Sequence, residues 1–302
     1  MALRPALRVN EETGIAGDTA LTWDASGKRN GIRTLHMLLQ QTELDARFNL
    51  ARSLAEEGGA LALEYFNRRD ALVIETKRDL QDVVSIADRD VEKRIRERVA
   101  AAFPGDGFLG EEDGYKAGAS GYTWVVDPID GTAPFVNGMP NWCVSIAVLH
   151  GGEPVVGVIK APCHDELYAA SAGGGATLND RPLRLDSSRT VQNAMTGIGA
   201  NSHVTPETVA DIVNRLLHMG GNFIRNGSGA LMLAYVAAGR LVGYYEPYMH
   251  AWDCMAGYCL VKEAGGWHHA FPTAGDGLTK GAPVLAAAPG ATADLKALAG
   301  LS

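Results

Sequence analysis

Asp127 and Asp130 stand three residues apart in the segment Trp124-Val125-Val126-Asp127-Pro128-Ile129-Asp130-Gly131-Thr132. Held in one small space, two carboxylates repel unless a proton or a cation lies between them. Gly131 permits close backbone approach, and the amides of Gly131 and Thr132 are placed to face an anion. Carboxylates for a hard cation beside amides for a phosphate would make a site for metal-assisted phosphoryl transfer. Alone, the same residues also read as an Asp-Pro-x-Asp-Gly surface turn. Two further clusters bear on the choice. Gly110-Glu111-Glu112-Asp113 follows the apolar pair Phe108-Leu109, and three acids there are costly to crowd without a cation, although a solvated loop tolerates them. Asp253 follows Trp252 in the first turn of an expected helix, where the helix dipole favours an acid for structural reasons alone.

The elements that must position these residues are partly legible. Trp124 to Val126 reads as the end of a buried strand, with Pro128 forcing Asp127 into extended geometry and opening a turn. Leu44, Phe48, Ala51, Leu54, Ala55, Leu61 and Tyr65 share one helical face, and Thr42 with Asp45 makes a capping box, which predicts a helix from Thr42. Ser85-x-x-Asp88 followed by Val91, Ile95 and Val99 predicts a second helix, ending near Phe103-Pro104-Gly105. Strands are expected at 108–109, 122–126, 142–149, 154–160 and 167–170. Gly173-Gly174-Gly175 is a hairpin turn and not a phosphate loop, because no Gly-Lys-Ser/Thr follows. Thr205-Pro206 opens a helix running to about His218. A small-residue helix over 228–238, a strand over 241–245 and a helix over 251–264 stopped by Gly265-Gly266 complete the pattern. Alternating helices and strands, without internal repeats, predict a layered α/β or α+β fold.

Composition narrows the partners. Twenty-seven Lys+Arg against 35 Asp+Glu leave a net charge of -8, and no basic run could track a phosphate backbone, so nucleic acid is not the expected partner. An acidic chain that acts on anions needs another source of positive field, usually bound metal. Cys143, Cys163, Cys254 and Cys259 show no CxxC spacing and read as buried thiols of a reducing compartment. No run of 18 apolar residues and no signal-like segment is present, so neither a membrane partner nor export is expected, and a cytoplasmic location is. Residues 1–41 are polar and without period, and are expected to form a loose extension before a single domain over 42–302.

Taken together, Gly110-Glu111-Glu112, Asp127-Pro128-Ile129-Asp130-Gly131-Thr132 and Trp252-Asp253-x-x-Ala256-Gly257 through Glu263-Ala264-Gly265-Gly266 carry a family likeness over residues 43–290. The sequence resembles the inositol monophosphatase family, within the fructose-1,6-bisphosphatase-like superfamily of Mg²⁺-dependent, lithium-sensitive phosphatases. The resemblance implies a layered αβαβα sandwich of two closely packed α/β halves, a homodimer, and hydrolysis of a small phosphate monoester. Inositol 1-phosphate is the first expectation, histidinol phosphate the alternative, and a 3′-nucleotide or a regulatory role without turnover the remaining ones. It also implies roles by position. Glu111, Asp127 and the carbonyl of Ile129 would hold one Mg²⁺, and Asp127, Asp130 and Asp253 a second. Thr132 and Asp88 would orient the attacking water, with Glu111 beside it, and Lys77 would lie near the metals. Phosphate would rest on the amides of Gly131 and Thr132. Glu246 would contact substrate hydroxyls, and Gly227-Ser228-Gly229 would wall the pocket. The sequence departs from the family pattern at Ala133-Pro134-Phe135, where many members read Thr-Asn-Phe, so that Pro134 removes an N–H near the phosphate position. Met255 stands where a small residue is common, a change of packing.

Other conspicuous residues take structural readings. His268-His269 lacks a third ligand nearby, Tyr244, Tyr245 and Tyr248 lack the basic groove of a base-stacking platform, and His250 reads as packing beside the site.

Overall fold

The structure is a computed structural model that describes residues 30–68, 74–76 and 83–301. Chain order gives helices α1 (Asn30–Asn67), α2 (Ile86–Ala102), α3 (Thr132–Val136), α4 (Pro206–His218), α5 (Gly229–Ala237), α6 (Ala251–Glu263) and α7 (Thr292–Ala299). A two-stranded ribbon pairs β1 (Ile74–Thr76) with β2 (Val83–Ser85). Eight strands form the first large sheet: β3 (Gly107–Gly110), β4 (Gly114–Lys116), β5 (Tyr122–Asp130), β6 (Cys143–His150), β7 (Glu153–Ala161), β8 (Glu166–Ser171), β9 (Gly175–Leu178) and β10 (Arg181–Pro182). They lie in the order β10-β9-β8-β7-β6-β5-β3-β4, antiparallel except where β3 runs alongside β5. Five more form the second sheet: β11 (Met195–Ile198), β12 (Asn222–Ile224), β13 (Gly243–Met249), β14 (Trp267–His268) and β15 (Ala282–Ala287), ordered β12-β11-β13-β15-β14.

The two-residue period of a strand sorts side chains into layers. From β5, Trp124 and Val126 pack with Leu54 of α1 and Val91 and Ile95 of α2, whereas Val125 packs in a second core with Leu231 and Leu233 of α5 and Leu260 of α6. That second core also takes Tyr244, Val284 and Ala286 from one face of the second sheet. The opposite face, with Ile198, Val242 and Leu285, meets Ile212 and Leu216 of α4 and Leu295 and Leu298 of α7. The sequence of layers is therefore αβαβα, as the resemblance implies. Helix α5 lies between two sheets and is apolar nearly all round, as a helix buried on every side must be. Residues 44–302 make one compact unit. No helix among the described residues is long and apolar enough to cross a membrane.

Three expectations need correction. Helix α1 begins at Asn30, so Thr42 and Asp45 lie inside it rather than capping it, and residues 30–41 are helical rather than loose. With neither Gly nor Pro between Ile32 and Glu57, nothing stops the helix at Thr42, and a box-like spacing signals a start only where the preceding chain is not helical. Strand β5 does not end at Val126: it runs on to Asp130, with its pairing to β6 shifted between Asp127 and Asp130. Pro128, which cannot donate to the ladder, is accommodated in that irregular stretch. The triple-glycine turn joins β8 to β9 as expected, and its Gly173 and Gly175 amides bind an anionic group, the Glu263 carboxylate at 3.1 and 3.0 Å.

Candidate active site

The shifted end of β5 presents Asp127 and Asp130, and the first turn of α6 presents Asp253, so that one oxygen from each lies within 4.8 Å of the others. Asp127 is 2% exposed and Asp130 8%. Burial, and then the charges of Glu111, Asp130, Asp253 and Asp88, push the Asp127 carboxyl well above its ordinary range. Burial and the Asp130 charge do the same to Asp253, against the opposing hydrogen bond from the His250 backbone N–H. Asp130 is also raised by burial but is opposed by donors: the Ser228 hydroxyl at 2.5 Å and the Ala230 amide at 2.6 Å reach Oδ2, and the Gly229 amide at 3.3 Å reaches Oδ1. The buried Oδ1 of Asp127 has no hydrogen-bond partner among the described residues. Three crowded carboxylates, one with an unsatisfied buried oxygen, fit a hard divalent cation, which takes oxygen donors and removes their mutual repulsion.

Glu111 stands at the end of β3, where its amide donates to the Val126 carbonyl at 3.3 Å. Its loop is held by Glu92, a residue that the sequence reading missed. Glu92 is fully buried, and its carboxylate accepts from the Glu112 amide at 2.8 Å, the Asp113 amide at 3.0 Å and Arg96 at 2.8 Å. A Cβ on Gly110 would sit 2.3 Å from the Glu92 carboxylate, so Gly110 is the residue that lets it in. A signal was available: Asp88, Glu92 and Arg96 are spaced four apart on the same helix face as the apolar Val91 and Ile95, and charges on a buried face require partners.

Asp88 is buried on α2, close enough to raise Asp127. The Thr132 hydroxyl donates to the Ile129 carbonyl at 3.3 Å, joining two positions to which the resemblance gives roles. Gly131 has φ 98°, and a Cβ there would lie 2.8 Å from the Asn141 carbonyl, so the chain turns from β5 into α3 only through glycine. Pro134 occupies the first turn of α3, where the N–H it lacks would have no intrahelical acceptor, and its ring abuts Gly227. Lys77 lies outside the described residues.

Beside the carboxylates opens a cleft of about 200 Å³ lined by Asp130, Asp253, Ser228, Asn201, Arg225 and Glu246, among others. Ser228 caps α5, accepting from the Leu231 amide at 3.3 Å while it donates to Asp130. On the far wall Glu246 accepts from the Tyr244 hydroxyl and from the Asn201 amide at 3.0 Å. Burial raises the Glu246 carboxyl to about 7, with the Tyr244 hydrogen bond resisting and the Asp130 charge assisting. Tyr244, expected to be strand packing, thus also bonds an acid of the cleft. His250 stacks on Trp252 with ring centroids 4.4 Å apart, and burial holds its pKa down. His268 stacks on Tyr258. All four cysteines are free, and three are buried.

The sequence pattern of the Inositol monophosphatase family matches residues 43–299. The chain is 44% identical over 190 residues to an Inositol-1-monophosphatase of Rhizobium meliloti (strain 1021), covering 62% of this chain and 71% of that one. It is 38% identical over 222 residues to Nus factor SuhB of Xylella fastidiosa (strain Temecula1 / ATCC 700964), covering 72% and 80%. Among solved structures, the extragenic suppressor protein suhB from Bartonella henselae superposes with a TM-score of 0.77 at 32% identity, over 84% of this chain and 98% of that one. The Thermotoga maritima IMPase superposes with a TM-score of 0.74 at 27% identity, over 84% and 96%.

Proposed function

This chain belongs to the inositol monophosphatase family and is a phosphomonoesterase, and from that premise we propose that it hydrolyses a small polyol phosphate, inositol 1-phosphate first, with Mg²⁺ held by its clustered acids. The observation that carries the reading is the convergence of Asp127, Asp130 and Asp253 within 4.8 Å beside a cleft whose far wall is Glu246. Asp127, Asp130 and Asp253 would hold one ion, and Glu111, Asp127 and the Ile129 carbonyl another. Bound Mg²⁺ would supply the positive field that neutralises phosphate oxygens and acidifies water. The chain's own residues do the rest. Thr132 and Asp88 orient the attacking water and Glu111 stands beside it. The Gly131 and Thr132 amides receive the phosphate, Gly227 and Ser228 shape the wall, and Glu246 accepts from hydroxyls of the leaving group. We place the protein as a cytoplasmic, lithium-sensitive homodimer on the family resemblance.

The test is phosphate release from inositol 1-phosphate, histidinol phosphate, fructose 1,6-bisphosphate and 3′-phosphoadenosine 5′-phosphate, with Mg²⁺ titrated and lithium added. A preference in kcat/KM for inositol 1-phosphate that requires Mg²⁺ is the expected result. Full turnover in chelator would sink the metal assignment, and preference for histidinol phosphate would replace the substrate. A second reading, a regulatory protein that keeps the fold without turnover, draws on relatives that carry the name Nus factor SuhB. Against it, Glu111, Asp127, Asp130, Asp253, Thr132 and Asp88 are all present, and a protein freed from catalysis has no reason to bury so many like charges.

A further inference from the structure

Glu246 is held as though its direction mattered. Among the described residues, each of its carboxylate oxygens has one donor, the Tyr244 hydroxyl on Oε2 and the Asn201 amide on Oε1. A carboxylate oxygen accepts two hydrogen bonds, so each keeps one position for a ligand in the cleft. Asn201 is itself fixed. Its amide nitrogen donates to the Tyr248 carbonyl at 2.6 Å as well as to Glu246, and its Oδ1 accepts from the His203 amide at 2.9 Å. The reverse amide orientation would set an oxygen against a carboxylate and a carbonyl, so the neighbours themselves decide which atom is nitrogen. Both N–H groups are committed to the protein, so Asn201 has none to donate to a substrate and spends one of them on Glu246.

The surrounding segment is built to keep this contact. The Gly199 amide donates to the Tyr245 carbonyl at 2.8 Å, which carries the β11–β13 pairing past the end of β11 and lays residues 199–201 over β13. A Cβ on Gly199 would stand 2.1 Å from Glu246 Oε2 and 2.4 Å from the Tyr244 hydroxyl, so the absence of a side chain there admits the Tyr244–Glu246 contact. From the other side Arg225 donates to the Ala200 carbonyl at 2.8 Å.

We propose that Asn201 is a positioning residue that aims Glu246 into the cleft and thereby sets the selectivity of the enzyme for leaving groups that carry hydroxyl donors. The inference rests on the phosphatase reading and assigns to Asn201 a part of its specificity. A carboxylate held from both sides presents its remaining lone pairs in one geometry, which favours a leaving group whose hydroxyls match it. Without Asn201, Glu246 keeps its charge and loses its aim.

The experiment compares inositol 1-phosphate with p-nitrophenyl phosphate, whose leaving group has no other hydroxyl, using the full chain with Mg²⁺. Asn201→Ala is the direct variant. Asn201→Ser adds no charge, keeps an acceptor for the His203 amide and is too short to donate to Glu246, and so guards against a misfolded loop. Both are expected to lower kcat/KM for inositol 1-phosphate about tenfold more than for p-nitrophenyl phosphate, the scale of one misdirected hydrogen bond. In a Glu246→Gln background, Asn201→Ala should leave the ratio between the two esters where Glu246→Gln alone puts it. Equal losses on both esters, or an unchanged further loss of selectivity in the double variant, would overturn the positioning role while the phosphatase reading stands. An unaltered chain that turns over neither ester, or p-nitrophenyl phosphate only, would overturn the polyol phosphatase reading and this inference with it.

Discussion

Asp127 has four acidic neighbours, Glu111, Asp130, Asp253 and Asp88, and a buried oxygen that none of the described residues satisfies. Replacing it with Asn removes a charge that the metal-free protein must crowd, so Asp127→Asn should be more stable in chelator by about 1–2 kcal/mol. The same change should cut Mg²⁺-dependent turnover about 100-fold or more. Thermal melts in chelator beside phosphate-release assays measure both, and a variant less stable without metal would mean that Asp127 has an internal partner. Glu92 gives the opposite case. Glu92→Ala strands the amides of Glu112 and Asp113 and leaves Arg96 with the Gly114 carbonyl and Asp113, a loss of about 3 kcal/mol for a buried, paired charge. Since those amides fix the loop that carries Glu111, the half-saturating Mg²⁺ concentration should rise as well, which a titration of activity against Mg²⁺ would show. At this scale the sequence was most legible where acids stand against Gly or Pro, as at Asp127 and Asp130. Glu92 was not read because it sits in an ordinary amphipathic helix, and its role depends on a loop about twenty residues away.

Helix α1 is tied to the first sheet by a buried charge. Arg47 donates twice to Asp106 at 2.8 Å, lies over the rings of Phe103 and Tyr122, and shares Asp106 with the Ser120 hydroxyl and the Trp124 indole N–H. Burial alone would raise the Asp106 carboxyl, but these hydrogen bonds and the Arg47 charge outweigh it and hold the pKa below the usual value. Because the folded value is the lower one, the stabilisation is complete above the unfolded carboxyl value near pH 4 and is lost as pH falls through the folded value. Asp106→Asn should therefore flatten the stability profile between about pH 5 and 2, and stability curves of both proteins by chemical denaturation would show it. An unchanged acid limb would mean that other carboxylates govern acid unfolding. Elements with their own punctuation were legible: α4 spans Pro206–His218, as Thr205-Pro206 indicates, and α6 stops before Gly265. Strands β11, β12 and β15 were not, because runs such as Met195–Ile198 and Ala282–Ala287 are short, rich in Gly or Ala, and without alternation. Their pairing is set by partners distant in sequence, which local periodicity does not encode.

Across the whole molecule, α5 and α6 form the layer shared by both sheets, and each begins at the carboxylate cluster: Asp253 lies in the first turn of α6, and Asp130 receives the first amides of α5. A ligand at that cluster binds only the folded arrangement, so saturating Mg²⁺ at about 100 times its Kd should add about 2.7 kcal/mol of stability, seen as a rise in Tm. A Tm indifferent to Mg²⁺ would count against the cluster as a metal site. The layering was legible as a class from alternating elements and as an αβαβα order from the family resemblance, while the order of strands within each sheet emerged only from the structure.

Helix α6 is fastened at its other end too, where Glu263 is gripped by the Gly173 and Gly175 amides. Ten residues, about 15 Å of helix, separate that grip from Asp253. One residue inserted between them would turn the two ends out of phase by about 100°, so that the hairpin and the carboxylate cluster could not both be met. Loops elsewhere in the chain can grow or shrink, but this helix behaves as a gauge of fixed length, and a three-glycine turn at the rim of the first sheet sets the angle at which an acid enters the centre.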